Sequence, residues 1–288
     1  MEFRLNNIAD LPEDCVARIL SLTSPVDACR VLAVSKGFRS PAESDAVWRS
    51  FLPEDYHQIV ASNSLKFSSR KELFFLLSNS ILINGGRTVF GLHRSSGRKF
   101  FVLSARSLSN FHNVEWTWKS NPDSRFSEVA ELISTDRLEI HGRISSKSLS
   151  PNTNYAAYLI FKLSENPFGL DSIPCETQIT SSSSNRHRML AANTARLRDP
   201  TGKNMLPQRV FYQNRMDMMK RLVNDGREME PQCRGGGWLQ LELGEFAVAA
   251  NNHGGGAEEI IEIDIMEVKG HQLKGGLIVE GIEVRPKS

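Results

Sequence analysis

At 288 residues and 32.3 kDa the chain is longer than one typical domain, so its length allows two units or one large β domain. Hydrophobic residues at 40% and charged residues at 24% exclude a disordered chain, and a net charge of +2 excludes a uniformly basic surface for nucleic acid. The start, Met1-Glu2-Phe3-Arg4, lacks the pattern of a secretory signal, and the apolar run at 73–77 is far below a membrane span, which predicts a chain without membrane insertion. The four cysteines, at 15, 29, 175 and 233, form no CxxC pair and show no Cys/His ligand spacing, which argues against a disulfide framework and a structural zinc site.

The first fifty residues read as short helices. Asp10-Leu11-Pro12-Glu13 is a variant of the capping box, and Leu11, Cys15, Ile19 and Leu22, flanked by Val16 and Leu20, repeat at helical spacing. Ser24-Pro25 signals a second start, leading to Val31 and Leu32, and Ser44 a third, leading to Trp48 and Phe51. A module this small is near the lower limit for folding alone, so a partner is expected to complete it. One more amphipathic stretch, 70–77, lies in a helical linker spanning 53–80.

From residue 81 the period changes. Short β-branched and aromatic runs at 81–83, 88–92 and 100–103 are separated by Gly, Asn and Ser, and further strands are expected at 138–144, 155–163, 238–243, 260–268 and 277–284. The class is therefore a small all-α module followed by an all-β sandwich or barrel, an α+β multidomain chain. Between the strands lies a polar insert around 164–237, whose 181–234 portion holds 11 Lys/Arg against 5 Asp/Glu. Such an insert reads as a solvated loop or as a surface for an anionic partner.

The module at 6–52 resembles an F-box, through Leu11-Pro12-Glu13-Asp14, Ile19-Leu20, Val31, Val34-Ser35-Lys36-Gly37-Phe38-Arg39 and Trp48. The resemblance implies docking on the Skp-type adaptor of an SCF ubiquitin ligase, and through it on cullin, with Leu11, Pro12, Ile19, Leu20, Val31, Val34 and Trp48 as adaptor-binding candidates. Residues 81–288 resemble the phloem protein 2 family of plant lectin-like domains. The residues that carry this are Leu103-Ser104-Ala105-Arg106-Ser107-Leu108-Ser109, Trp116-x-Trp118, Ser124-Arg125-Phe126-Ser127, Leu138-Glu139-Ile140-His141-Gly142, Tyr155-Ala156-Ala157-Tyr158 and Lys274-Gly275-Gly276-Leu277. An F-box ahead of such a domain is similar to the family's F-box subgroup, which implies a plant protein of cytoplasm and nucleus with a jelly-roll-like sandwich.

Family lectins hold N-acetylglucosamine oligomers or N-glycan cores. The resemblance thus implies a carbohydrate site at Trp116, Trp118, Glu259 and Glu267, in which aromatic faces stack on sugars and carboxylates accept from hydroxyls. Asn110-Phe111-His112 stands where the family carries a tryptophan, which points to the loss of one stacking platform. On strand parity, Ile261, Ile263 and Ile265 share a face, with Glu259 and Glu267 on the same parity at the two ends. No nucleophile elbow, phosphate loop or HExxH motif is present, so no catalytic residue, metal or cofactor is expected. The implied function is a non-catalytic substrate receptor of the ligase that recruits a protein client, an N-glycosylated one included. The alternative is a stand-alone carbohydrate-binding lectin.

Overall fold

The computed structural model describes residues 11–111, 115–183, 186–200, 228–249, 259–267 and 272–287. The chain divides into two units, one of residues 1–83 and 89–101, the other of 84–88 and 102–288.

The first unit carries six short helices: α1 (Glu13–Leu20), α2 (Pro25–Val31), α3 (Arg39–Glu43), α4 (Asp45–Phe51), α5 (Tyr56–Asn63) and α6 (Arg70–Ser78). The start signals act where they are described. Ser24 Oγ accepts the amide of Asp27 at 3.1 Å, with Pro25 in the first turn of α2, and Ser69 Oγ accepts the amide of Glu72 at 3.2 Å at the head of α6. Ser44 precedes α4 but makes no capping bond, and the cap expected at Asp10 lies outside the described residues.

Trp48 is fully buried, with the rings of Phe51 and Phe74 at 5.7 and 5.3 Å, and its indole nitrogen donates to the Ala42 carbonyl at 2.8 Å. The stretch expected as a linker at 53–80 is therefore corrected. Leu73, Phe74 and Leu77 of α6 lie at i, i+1 and i+4 and close this core, each at most 1% exposed. The unit also takes in β1 (Ile81–Ile83), most of β2 (Thr88–Leu92) and the start of β3 (Lys99–Ser104), so the boundary expected at residue 81 falls inside it.

The second unit is built of strands β4 (Trp116–Lys119), β5 (Val129–Leu132), β6 (Leu138–Ser145), β7 (Thr153–Phe168), β8 (Cys175–Ser183), β9 (Arg186–Ala195), β10 (Glu228–Met229), β11 (Gln232–Arg234), β12 (Trp238–Val248), β13 (Ile260–Glu267) and β14 (Gly275–Pro286). One sheet runs β14-β7-β12-β11, with β5 also on β14 and β4 on β5; the other runs β10-β9-β8-β13-β6. The two face one another. Ile261, Ile263 and Ile265 point inward from β13 as their parity requires, and the Thr177 hydroxyl of β8 donates across to the Leu243 carbonyl of β12 at 2.8 Å.

The sheets approach closely at Gly244, where a Cβ would meet the Cβ of Ala191 at 2.8 Å, so any larger residue would push them apart. The reading of 164–237 as a solvated loop is corrected for its described part. β7 runs on to Phe168, β8 forms the middle of the second sheet with β9 beside it, and Cys175, Thr177 and Ile179 are buried against the facing sheet. Positions 201–227 and residue Val268 lie outside the described residues.

Candidate functional site

On the helical unit the seven candidate residues separate by face. On α1, Val16 and Leu20 turn inward while Ile19 is 45% exposed, so the Ile19-Leu20 pair divides between core and surface as 100° per residue demands. Leu20 and Trp48 are core residues in this structure, 5% and 0% exposed. Pro12 is exposed, Val34 is 69% exposed, and Leu11 and Val31 are half-buried. To these the structure adds Leu22, 73% exposed, which helical spacing alone placed in the same stripe as Leu11 and Ile19. Covering one such side chain is worth about 1.5–3 kcal/mol, so these residues form a surface that gains by being covered.

On the β unit the four residues of the expected sugar site do not converge. Trp116 is 8% exposed and tilts onto Phe111 at 4.2 Å between ring centroids, while Phe111, from the segment that departs from the family pattern, is itself fully buried. Trp118 is half-buried and one ring face is taken by the Arg106 guanidinium, 3.6 Å from its centroid. That guanidinium is held in turn by Glu128, at 3.1 and 2.7 Å from Nε and Nη2. His112 lies outside the described residues.

Glu267 occupies the inward parity of β13 and is 4% exposed, ion-paired to Lys274, whose ammonium also donates to the Asp136 carbonyl at 2.8 Å. The parity that sets Glu267 with the isoleucines also buries it, beside Lys274. Glu259 is exposed and accepts from the Ser181 hydroxyl at 3.2 Å. Eight residues along an extended strand separate the two acids, about 26 Å, too far for one saccharide unit to bridge.

The best-built polar cluster is one that sequence reasoning missed. Arg125 donates from Nε and Nη2 to Glu280 at 3.2 and 2.7 Å and from Nη1 to Glu283 at 3.0 Å; Arg234 and Arg285 reach Glu283 at 2.7 and 2.8 Å. Burial alone would raise the Glu283 carboxyl, but Arg234, Arg125 and Arg285 outweigh it and hold the group below its usual range. This network ties the 124–126 loop to β14, and every carboxylate in it is already answered by an arginine. Among the described residues no group of three His, Cys, Asp or Glu side chains is placed to hold a metal ion.

Comparison with known proteins agrees with both units. Residues 8–54 match the F-box-like family and residues 98–286 match the phloem protein 2 family. The F-box protein VBF of Arabidopsis thaliana is 42% identical over 288 residues, covering 96% of this chain and 99% of that protein. The F-box protein PP2-B13 of the same plant is 42% identical over 286 residues, covering 96% and 98%, and the F-box protein PP2-B1 is 34% identical over 307 residues, covering 99% and 91%. With helices carrying an uncovered apolar face ahead of a two-sheet β unit, the chain belongs to the phloem protein 2 family, as an F-box protein of that family.

Proposed function

We propose that this chain is the client receptor of an SCF ubiquitin ligase, acting in cytoplasm and nucleus. It docks on a Skp-type adaptor, and through it on cullin, while the chemistry of ubiquitin transfer resides in other subunits. The observation that carries this reading is the uncovered apolar surface of Ile19, Leu22 and Val34 on a small helical unit whose core is otherwise closed around Trp48. A surface of that kind on so small a unit gains stability by mass action when a partner covers it.

The client is a polypeptide in this reading, and a glycan on it is not what the β unit grips. Of the four side chains expected at a sugar site, Trp116, Trp118 and Glu267 have their faces or oxygens engaged by protein groups. The test is co-purification of the full chain with a Skp-type adaptor, comparing wild type with the double variant Ile19→Asp and Val34→Asp. Capture by wild type and a loss of about tenfold or more in the variant is the expected result. Equal capture of both overturns the docking surface, and a strong glycan-array signal from the full chain restores the stand-alone lectin reading.

A further inference from the structure

Among the described residues the outer edge of β9 is left open over most of its length. β9 pairs with β8 along one side, whereas on the other it meets β10 only at Thr194 and Ala195. From Arg186 to Asn193 this side carries no partner strand among the described residues, so it presents backbone amides and carbonyls ready to pair.

The start of that edge is basic. Arg186, His187, Arg188 and Met189 are all exposed although successive side chains point to opposite faces, so this end of the hairpin stands clear of the sandwich. Arg186 and Arg188 share a face, and neither makes an ion pair among the described residues. The register shift between Ile179 and Thr180, paired with Ala191 and Met189, leaves Leu190 as the extra residue of a bulge. Beside it opens a cleft of about 360 Å³, lined in part by Asn154, Arg188, Met189, Leu190, Glu245 and Phe246.

We propose that this edge takes an extended acidic segment of the client as an added strand, with carboxylates at alternate positions on Arg186 and Arg188, on the face that lines the cleft, and apolar side chains at the intervening positions over Met189 on the other face. The proposal rests on the client-receptor reading. Strand addition draws its affinity from backbone hydrogen bonds and its specificity from alternate side chains. An added strand repeats at the same interval of about 6.6 Å as Arg186 and Arg188 do, so each guanidinium meets one carboxylate and can grip it with two N–H groups.

Charge decides between occupants. Basic side chains on an edge discourage pairing with another copy of the same edge, and an acidic strand turns that repulsion into attraction. Nucleic acid fits less well, because two arginines and a histidine neutralise few phosphates and Glu245 stands in the cleft wall.

The probe is a fluorescein-labelled peptide of four Glu-Val repeats, titrated against the full chain by fluorescence anisotropy, with a Lys-Val peptide as its charge reverse. The Glu-Val peptide binds saturably and the Lys-Val peptide does not. R186E/R188E weakens binding by about tenfold or more, R186K/R188K retains most of it, and N-methylation of alternate peptide amides, tested in both registers, removes it with charge unchanged. Because both arginines are exposed, the variants keep the wild-type circular dichroism spectrum.

Binding indifferent to R186E/R188E or to N-methylation overturns the proposal. So does tighter binding of a single-stranded oligonucleotide, or an R186E/R188E-sensitive dimer in sedimentation in place of peptide binding. Adaptor capture measured on the same preparation separates the two readings. A wild type that captures adaptor but ignores the Glu-Val peptide overturns the edge alone, and one that binds the peptide but no adaptor overturns the receptor reading and leaves the edge standing.

Discussion

The helical unit and the β unit solve opposite problems with the same alphabet. In the helical unit the core around Trp48, with Phe51, Leu73, Phe74 and Leu77, is apolar, and large apolar side chains are left over on the outside at Ile19, Leu22 and Val34. In the β unit carboxylates are buried inside the fold, Glu267 with Lys274 and Glu280 and Glu283 with their arginines, while Ile133, Met189 and Leu273 stay exposed. The difference teaches where a partner is needed. Exposed apolar groups on a small unit gain by association, whereas buried charges answered internally need no partner of their own.

The sharpest way to break the helical side of this comparison is Trp48→Ala. It removes the side chain around which Phe51 and Phe74 pack and leaves the Ala42 carbonyl without its donor, so a loss of about 3–5 kcal/mol is expected. Denaturant unfolding followed by circular dichroism measures it. A loss below 1 kcal/mol would show that the unit repacks and that Trp48 is not its keystone.

On the β side the equivalent cut is Lys274→Ala, which takes the buried ammonium away from the Glu267 carboxylate and costs about 3–5 kcal/mol. Replacing both, with Lys274→Met and Glu267→Leu, should recover most of that loss, because the penalty lies in the unpaired charge. Unfolding curves of the single and double variants form the cycle. A double variant as unstable as the single one would mean that the pair sets the position of the β13 end rather than merely neutralising itself.

Much of this architecture is legible in the sequence, and the exceptions share a cause. Ile261, Ile263 and Ile265 announce β13 by alternation, and Ser24-Pro25 announces a helix start that the structure places within a residue. β8 is silent because three of its four inward positions are Cys175, Thr177 and Ser181, small or polar residues that leave Ile179 alone to mark a hydrophobic period. Thr177 is tolerated inside because the Leu243 carbonyl accepts a hydrogen bond from its hydroxyl. The Arg125 network is invisible for another reason: its partners lie 155 and 158 residues away, and no local pattern links them. Glu267 shows the limit in between, since parity located it correctly while its role turned on Lys274, a residue that parity does not mention.

Acidification sharpens the comparison, because the β unit holds a buried carboxylate, Glu283, depressed by half-buried arginines. Glu283, with a carboxyl below its ordinary 4.5, binds a proton less readily in the folded chain than in the unfolded one. Its contribution is therefore complete above the ordinary carboxylate range and is lost as pH falls through the lowered value. Unfolding midpoints of the β unit measured from pH 7 downward should fall on the acid side, and Glu283→Gln should flatten that fall while lowering the neutral-pH plateau. A profile unchanged by Glu283→Gln would move the acid sensitivity to another group.

The smallest stability effect belongs to the exposed apolar residues and is the most informative. Val34→Ser and Leu22→Ser touch side chains 69% and 73% exposed, so each should change the stability of the free chain by no more than about 0.5 kcal/mol. If these residues were core in the way Trp48 is, the same substitutions would cost several times that. Melting temperature of the free chain and yield of the adaptor complex, measured side by side, decide the matter. A variant that melts like wild type but yields less complex identifies a residue kept apolar for its partner, and one that melts lower with its complex yield unchanged returns that residue to the core.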